Sequence, residues 1–226
     1  MKSSLILLLV SSLAALAATE EQINKRFTVQ SGEKLVVEVD FGSIDVTTNA
    51  SSEVVADVWR KVSRGSKKAE EEFLVDRPVT ITQDGTVVTI RSRGKPGQGW
   101  SGRGRNQNEG RYTLSVPSQF SVHLKTAGGG ITVKDLAGDV RANTSGGGLE
   151  FARLRGPLDG HTSGGGIRAI DCRGTLKIHT SGGGINVAGG SGTLDGETSG
   201  GPVAVKDFGG NARVRSSGGG IHVKKL

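Results

Sequence analysis

The sequence predicts an all-β fold, namely a single-stranded β-helix (β-solenoid) of eighteen-residue coils that begins with an irregular N-terminal β cap. Six copies of the phrase Thr-Ser-Gly-Gly-Gly, or a close variant of it, follow one another every eighteen residues without insertion or deletion. They begin at Thr126, Thr144, Thr162, Thr180, Thr198 and Ser216. A fixed period of this length is typical of a solenoid, in which each repeat forms one coil stacked on its neighbour.

Within each repeat, apolar residues recur two positions apart in two places. Counted from the initial Thr or Ser, positions six and eight are apolar, as in Ile185 and Val187. Positions fifteen and seventeen are apolar or small, as in Leu176 and Ile178. This alternation indicates a strand with one buried face, so each coil holds two short strands. The glycine triplet and a glycine at position thirteen mark the turns between the strands.

The order of charges from repeat to repeat also predicts stacking. Position sixteen is occupied in turn by Arg141, Asp159, Lys177, Asp195 and Arg213. Position ten is occupied by Asp135, Arg153, Asp171, Gly189, Asp207 and Lys225. Opposite charges on adjacent strands contribute about 0.2–1 kcal/mol per pair, and like charges cost a similar amount. The alternating sign therefore predicts coils that stack in register.

The chain begins with the features of a secretory signal peptide over residues 1–18. Lys2 precedes the apolar run Leu5–Val10, and the small-residue motif Ala15–Ala17 suits cleavage. The apolar run is too short for a membrane-spanning helix, which needs about 20 residues. We therefore expect an exported protein, periplasmic or at the cell surface, without a transmembrane segment.

Residues 19–111 lack the repeat and form the predicted cap, whereas residues 112–226 form the regular solenoid. The cap is expected to contain strands over Leu35–Val39 and Glu53–Trp59, a helix from a Ser66 cap through Leu74, and a hairpin at Gln83–Gly85. Tyr112–Lys125 is the predicted entry coil on which the first repeat stacks. Capping is required physically, because an open coil end exposes unpaired backbone groups.

The formal net charge is +7, and most of it falls in one segment. Residues 91–111 hold six Lys or Arg against one Glu, among many Gly, Asn and Gln residues that indicate a loop. Cations and one aromatic in a loop suit an anionic envelope polymer or glycan, with Arg93, Lys95, Trp100, Arg103 and Arg105 as the predicted binding residues. The alternative is a solubilising loop. The modest charge elsewhere does not indicate specific nucleic-acid binding.

The chain resembles the bacterial "putative adhesin" domain family, a β-solenoid domain of unknown function in exported and envelope-associated proteins. The matching segments are Phe41–Val46, Ala69–Phe73, Leu114–Pro117 and the repeated Thr-Ser-Gly-Gly-Gly-Ile-x-Val. The resemblance runs from about Phe27 to the C-terminus. It implies a single-stranded, right-handed β-helix, and it carries no catalytic residue to transfer.

Other chemistries find less support in the sequence. His161 and His179 share position eighteen with Glu197 next in order, so they could share a zinc ion, but a solvated face is the expected reading. Asp159 and Asp195 could act as paired carboxylates, although Lys177 between them indicates charge pairing instead. Each glycine triplet precedes a strand, unlike a phosphate-binding loop, which leads into a helix. We therefore predict no catalytic residue, no metal site and no cofactor.

Two further expectations concern single features. Cys172 is the only cysteine and occupies a position shared with Leu154 and Phe208, so we expect a small buried apolar residue. The sixth copy ends with the chain, which leaves Ile221 and Val223 for end-to-end self-association or for protection by the terminal lysines. The sequence thus predicts a non-catalytic exported envelope module for adhesion, scaffolding or binding. The alternative is a β-helix protein that binds or cleaves envelope polysaccharide.

Overall fold

A computed structural model describes residues 18–94 and 107–225. It shows an all-β protein with two mostly parallel sheets and one short helix. The elements before the repeats are β1 (Thr19–Thr28), β2 (Lys34–Val39), β3 (Ser43–Asn49), β4 (Glu53–Ser63), α1 (Lys67–Asp76), β5 (Thr80–Asp84), β6 (Val87–Ser92) and β7 (Gln107–Pro117). The remaining strands are β8 (Ser121–Thr126), β9 (Ile131–Lys134), β10 (Val140–Thr144), β11 (Leu149–Ala152), β12 (Leu158–Thr162), β13 (Ile167–Ile170), β14 (Arg173–Thr180), β15 (Ile185–Ala188), β16 (Ser191–Thr198), β17 (Val203–Lys206), β18 (Gly209–Ser216) and β19 (Ile221–Lys224).

Each repeat contributes one strand to each sheet. The first sheet has the order β1-β4-β7-β3-β9-β11-β13-β15-β17-β19, and the second has the order β5-β6-β2-β8-β10-β12-β14-β16-β18. Strands of successive repeats pair in parallel, and residues eighteen apart face each other, as Leu158, Leu176 and Leu194 do. These three leucines are buried between the sheets. The predicted in-register pairing of the repeats is therefore confirmed.

The charge ladders lie in the predicted register, but their ion pairs form in two ways. At position ten, Arg153 pairs across the ladder with Asp135, and Arg153 Nη2 donates to Asp135 Oδ2 at 2.8 Å. At position sixteen, Arg141 and Asp159 are register partners, yet Arg141 pairs with Asp139. Asp159 Oδ1 lies 2.7 Å from His161 Nε2 of its own strand. The cross-strand register therefore agrees with the prediction. Arg153 pairs with an acid of the neighbouring repeat, whereas Arg141 pairs with an acid two residues away in its own repeat.

The entry to the repeats differs from expectation. Val122 in β8 does pair in register with Val140 of the first repeat. However, β7 does not stack on β9, because β3 lies between them and pairs in parallel with both. Likewise, β2 lies between β6 and β8. The β2–β3 pair, although early in the chain, is therefore inserted between the β6–β7 pair and the first repeat.

The N-terminal elements close one end of the two sheets. β1 and β4 add to β7 in antiparallel fashion, and β5 forms the predicted hairpin with β6. Ser66 caps α1, and its Oγ accepts a hydrogen bond from the Ala69 N–H at 3.3 Å. Lys25 of β1 donates through Nζ to the Ile81 carbonyl of β5 at 3.1 Å, which links the outer strands of the two sheets. Both expected elements, helix and hairpin, are confirmed.

Position one of the repeat forms a column of buried hydroxyls that the sequence pattern did not reveal. Thr180 is fully buried, and its Oγ1 donates to the Gly165 carbonyl of the preceding repeat at 2.7 Å. The same oxygen accepts from the Gly183 N–H of its own turn at 3.3 Å. Thr144, Thr162 and Thr198 repeat this arrangement. The hydroxyl therefore joins consecutive glycine turns, which is why a hydroxyl residue, Thr or Ser, begins each phrase.

We expect Thr180→Val to lower the free energy of unfolding by about 1–3 kcal/mol. Valine matches threonine in shape, but it leaves the Gly165 carbonyl without this donor in a buried position. Thr175→Val, at an exposed site in the same strand, is the control and should change stability by less than about 0.5 kcal/mol. Urea denaturation measures both. Equal effects of the two substitutions would contradict a structural role for the hydroxyl.

Candidate binding surface

The predicted basic segment connects β6 of the second sheet with β7 of the first sheet. In each repeat, the Thr-Ser-Gly-Gly-Gly turn leads from the second sheet to the first, as from β14 to β15. The connection from β6 to β7 makes the same crossing, and it contains the predicted binding residues. Arg93 lies within the described structure. The other predicted residues, Lys95, Trp100, Arg103 and Arg105, lie outside the described residues.

The carboxylate of Asp40, the residue that follows β2, holds the N-terminal end of this connection. Arg93 Nε lies 3.7 Å from Asp40 Oδ1, and the Arg93 side chain is 51% exposed. Asp40 Oδ2 accepts a hydrogen bond from the Gly94 N–H at 2.6 Å and also lies 3.7 Å from Arg77 Nε. Arg91 pairs in the same way with Glu38 at 3.2 Å. Glu38 of β2 and Asp40 just after it thus orient Arg91 and Arg93. Both arginine side chains remain accessible to solvent.

The C-terminal end of the connection lies beside an aromatic ring. The guanidinium carbon of Arg111 is 5.9 Å from the centroid of the Trp59 ring, on the outer face of the first sheet. Trp59 Nε1 donates to Glu20 Oε2 at 3.4 Å, and Glu20 also pairs with Lys61 at 3.1 Å. The sequence pattern predicts Trp59 only as the end of a strand. Its alternation with buried Val58 and Arg60 was the available signal that Trp59 faces outward.

A buried ionic cluster around Arg60 contacts the end of β6 at this corner. Arg60 is fully buried and donates through Nε to Glu21 Oε2 at 2.7 Å. Its Nη1 donates to the Arg77 carbonyl at 2.7 Å and to Ser92 Oγ at 2.9 Å. Because Ser92 ends β6, the cluster holds the strand from which the basic connection departs.

The helix α1 is attached to the same corner through Phe73 and Glu70. The guanidinium carbons of Arg64 and Arg77 lie 4.1 Å and 4.4 Å from the Phe73 ring centroid, within cation–π range. Burial alone would raise the pKa of Glu70, but hydrogen bonds from the Arg64 N–H and from Thr19 outweigh it and lower that pKa. Desolvation by burial lowers the pKa of Arg64. The helix therefore contributes the Phe73 ring and an anchoring carboxylate, and the two arginines flank its ends.

The histidine pair lies where the sequence places it, in register on β12 and β14. The ring centroids of His161 and His179 are 5.9 Å apart, and Glu197 is the next residue in the ladder. His161 Nε2 lies 2.7 Å from Asp159 Oδ1 of its own strand. Across residues 18–94 and 107–225, no three His, Cys, Asp or Glu side chains converge in a group that could hold a metal ion.

The remaining single residues behave as structural elements. Cys172 is buried in the core cluster, as expected, and desolvation by burial raises the pKa of its thiol. His123 lies 3.5 Å from Asp139, yet burial lowers its pKa. Asp159 and Asp195 are separated in the ladder by Lys177.

The last strands leave part of the core uncovered in the described chain. Ile221 and Val223, which would face inward, are 44% and 46% exposed. The outward ladders on this side end in cations, with Arg213 and Arg215 on β18 and Lys224 on β19. In the described part of the chain, no helix has the length and apolar character needed to cross a membrane.

Three solved structures align with most of this chain, and each has low sequence identity to it. The chain is similar to a "putative cell adhesion protein" from Clostridium sporogenes ATCC 15579, with TM-score 0.44 and 10% identity over 92% of this chain and 100% of that chain. It is similar to a "putative adhesin" from Bacteroides fragilis NCTC 9343, with TM-score 0.43 and 10% identity over 91% of this chain and 97% of that chain. A "putative lipid binding protein" from Parabacteroides distasonis ATCC 8503 has TM-score 0.29 and 13% identity over 91% and 96% of the two chains. No family model and no curated protein matches the sequence.

Proposed function

We propose that the chain is an exported, non-catalytic β-solenoid of the cell envelope that serves as an adhesion, scaffold or binding module. The parallel register of residues eighteen apart in both sheets supports the solenoid. Its coils are right-handed in this proposal, because connections between parallel strands of one sheet are right-handed in nearly all known folds. The signal-peptide features of residues 1–18 support export.

The ligand in this proposal is an anionic polymer or glycan of the envelope, bound at the β6–β7 corner. One observation carries this assignment: the corner replaces a tight glycine turn by the connection of residues 93–106, which holds four Lys or Arg and no acidic residue. The loop predicted over residues 91–111 is shorter than expected, because Arg91 lies in β6 and both Glu109 and Arg111 lie in β7. Arg93 and Arg111 lie at its two ends and are held in place by Asp40 and by the Trp59 ring. Ordered cations at both ends reduce the entropy lost when a flexible polyanion binds.

Glycan binding is favoured by the surroundings of Trp59. The indole ring lies among groups that donate and accept hydrogen bonds, with Gln22 and Arg111 as its register partners and Glu20 bonded to its Nε1. An aromatic ring combined with a few polar groups is a typical small-molecule recognition surface. Cleavage of the glycan is the alternative function. A reducing-sugar assay separates the two, and we expect polymer to be bound without release of reducing ends.

Replacing Arg93, Lys95, Arg103 and Arg105 by Ser should abolish salt-sensitive retention of the mature protein on an anionic polysaccharide matrix. Each cation near an anionic surface contributes about 1 kcal/mol, so affinity should fall by about a hundredfold or more. The matched control replaces four exposed cations elsewhere, namely Lys67, Lys68, Lys177 and Arg213. Retention of the control with loss of the test variant supports the assignment. Equal retention of both variants would refute it.

A further inference from the structure

At position twelve of the repeat, two residues of the same charge follow each other from one repeat to the next. Position twelve is occupied by Ala137, Arg155, Arg173, Ser191 and Gly209. Arg155 and Arg173 are direct register partners on adjacent parallel segments, joined by the hydrogen bond from the Arg173 N–H to the Leu154 carbonyl at 2.8 Å. Adjacent strands lie about 4.8 Å apart, and both side chains are exposed on the outer surface. Like charges at this spacing destabilise a sheet, whereas adjacent charged residues in the ladders at positions ten and sixteen have opposite signs.

The nearby acids do not neutralise these two arginines. The Asp135 carboxylate is taken by Arg153, and this pairing holds the pKa of Asp135 below its usual value. The Asp171 carboxylate is turned toward the following repeat, where a Cβ on Gly189 would lie 2.1 Å from its Oδ1. Within residues 18–94 and 107–225, no ion pair joins Arg155 or Arg173 to an acid.

A second like-charged ladder pair, Lys206 and Lys224, differs in this respect. Lys206 Nζ lies 3.6 Å from Asp207 Oδ2, so its charge is balanced within its own repeat. The Arg155–Arg173 pair lacks such a neighbour. It is also built from arginine, whose planar guanidinium matches the geometry of carboxylate and phosphate groups better than an ammonium does.

We propose that Arg155 and Arg173 form a binding site for one oxyanionic group, a phosphate, sulfate or carboxylate, held between two adjacent repeats. Each guanidinium supplies parallel N–H donors, and an anion placed between them removes the repulsion that the empty pair carries. Ser191, the next residue in the ladder, adds a hydroxyl donor on the same surface. The ligand class is therefore an acidic group of a polymer or a lipid headgroup.

This site is separate from the basic connection. Arg155 lies in the turn from β11 to β12, which leads from the first sheet to the second, whereas the β6–β7 connection leads from the second sheet to the first. The two sites thus lie at opposite edges of the stacked sheets. The inference does not rest on the function proposed for residues 91–111, and each can fail without the other.

Substitution of either arginine tests the site. The probes are inorganic pyrophosphate, polygalacturonate and vesicles that contain phosphatidylglycerol, with binding measured by calorimetry and by the shift in melting temperature. Arg155→Ser and Arg173→Ser should each weaken binding of the preferred probe by about tenfold or more, since a charged hydrogen-bonding partner is lost. Arg213→Ser removes the same charge beside Asp195 and should change affinity by less than about twofold. Preference among the probes distinguishes a phosphate, a glycan carboxylate and a lipid surface as the source.

A charge reversal separates binding from folding. Arg155→Glu restores alternation with Arg173, so the melting temperature should rise or stay the same while anion binding is lost. A stable variant that still binds as the wild type does would overturn the proposal. So would equal losses for Arg155→Ser and Arg213→Ser, or the absence of binding of all three probes to the wild type.

Discussion

Replacement of Gly165 by alanine is expected to lower the free energy of unfolding by about 3 kcal/mol or more, enough to remove much of the stability of an ordinary domain. Gly165 is the middle glycine of its turn, and a Cβ there would lie 2.1 Å from the carbonyl oxygen of Gly147 in the preceding repeat. The obstructing atom belongs to backbone, so no side-chain rotation relieves the contact. The two turns would have to separate.

Separation of the turns would break the contacts that join them. The Gly165 carbonyl accepts the buried hydroxyl of Thr180, and the Gly165 N–H donates to Thr162 Oγ1 at 3.3 Å. Both bonds depend on the close approach of successive glycine turns. The cost of the added methyl group therefore includes loss of buried hydrogen bonds as well as the steric overlap.

Gly164 supplies a matched control one residue away. A Cβ at Gly164 would meet the Gly146 carbonyl oxygen at 3.4 Å, which is an ordinary contact. Gly164→Ala should therefore change stability by less than about 1 kcal/mol. Urea denaturation of both variants, followed by circular dichroism, measures the difference. If the two alanine variants were equally stable, the close approach of the turns would be wrong.

The stacking of the repeats is predictable from sequence because its signals are local and recur. The spacing of Leu158, Leu176 and Leu194 and the alternation of charge at position sixteen both predict columns, and both lie in the observed register. The buried role of Thr180 is not predictable in the same way, because threonine is common in turns. Its hydrogen-bond acceptor, the Gly165 carbonyl, belongs to the glycine turn of the preceding repeat. The pattern shows that the residue recurs, and the structure shows what it bonds.

The insertion of β3 between β7 and β9 has no local signal. β3 pairs with strands that follow it by more than sixty residues on one side and more than eighty on the other, as Ile44 does with Tyr112 and Ile131. Apolar alternation predicts that Ile44 and Val46 face a core, but it is the same for any pairing order. For the candidate site, composition identifies the basic connection. Its anchoring by Asp40 and the nearby Trp59 depend on contacts between distant segments.

Glu21→Ala is expected to destabilise the protein by about 3–5 kcal/mol, because it leaves the fully buried guanidinium of Arg60 without its counter-charge. The remaining acceptors of Arg60, the Arg77 carbonyl and Ser92 Oγ, are neutral and cannot replace a carboxylate. Loss of this pair should also loosen the end of β6, where the basic connection begins. Thermal and urea unfolding measure the stability of the variant.

The neighbouring Glu20 tests whether burial is the cause. Glu20 pairs with Lys61 at 3.1 Å, and the two side chains are 53% and 40% exposed, so Glu20→Ala should cost about 1 kcal/mol or less. Because Glu20 and Glu21 are adjacent on β1, the two substitutions remove the same charge from nearly the same place. Arg60→Met combined with Glu21→Ala should recover part of the lost stability, since it removes the unpaired buried charge. Equal costs for the two single substitutions, together with no recovery in the double variant, would show that the ionic cluster does not stabilise this end of the fold.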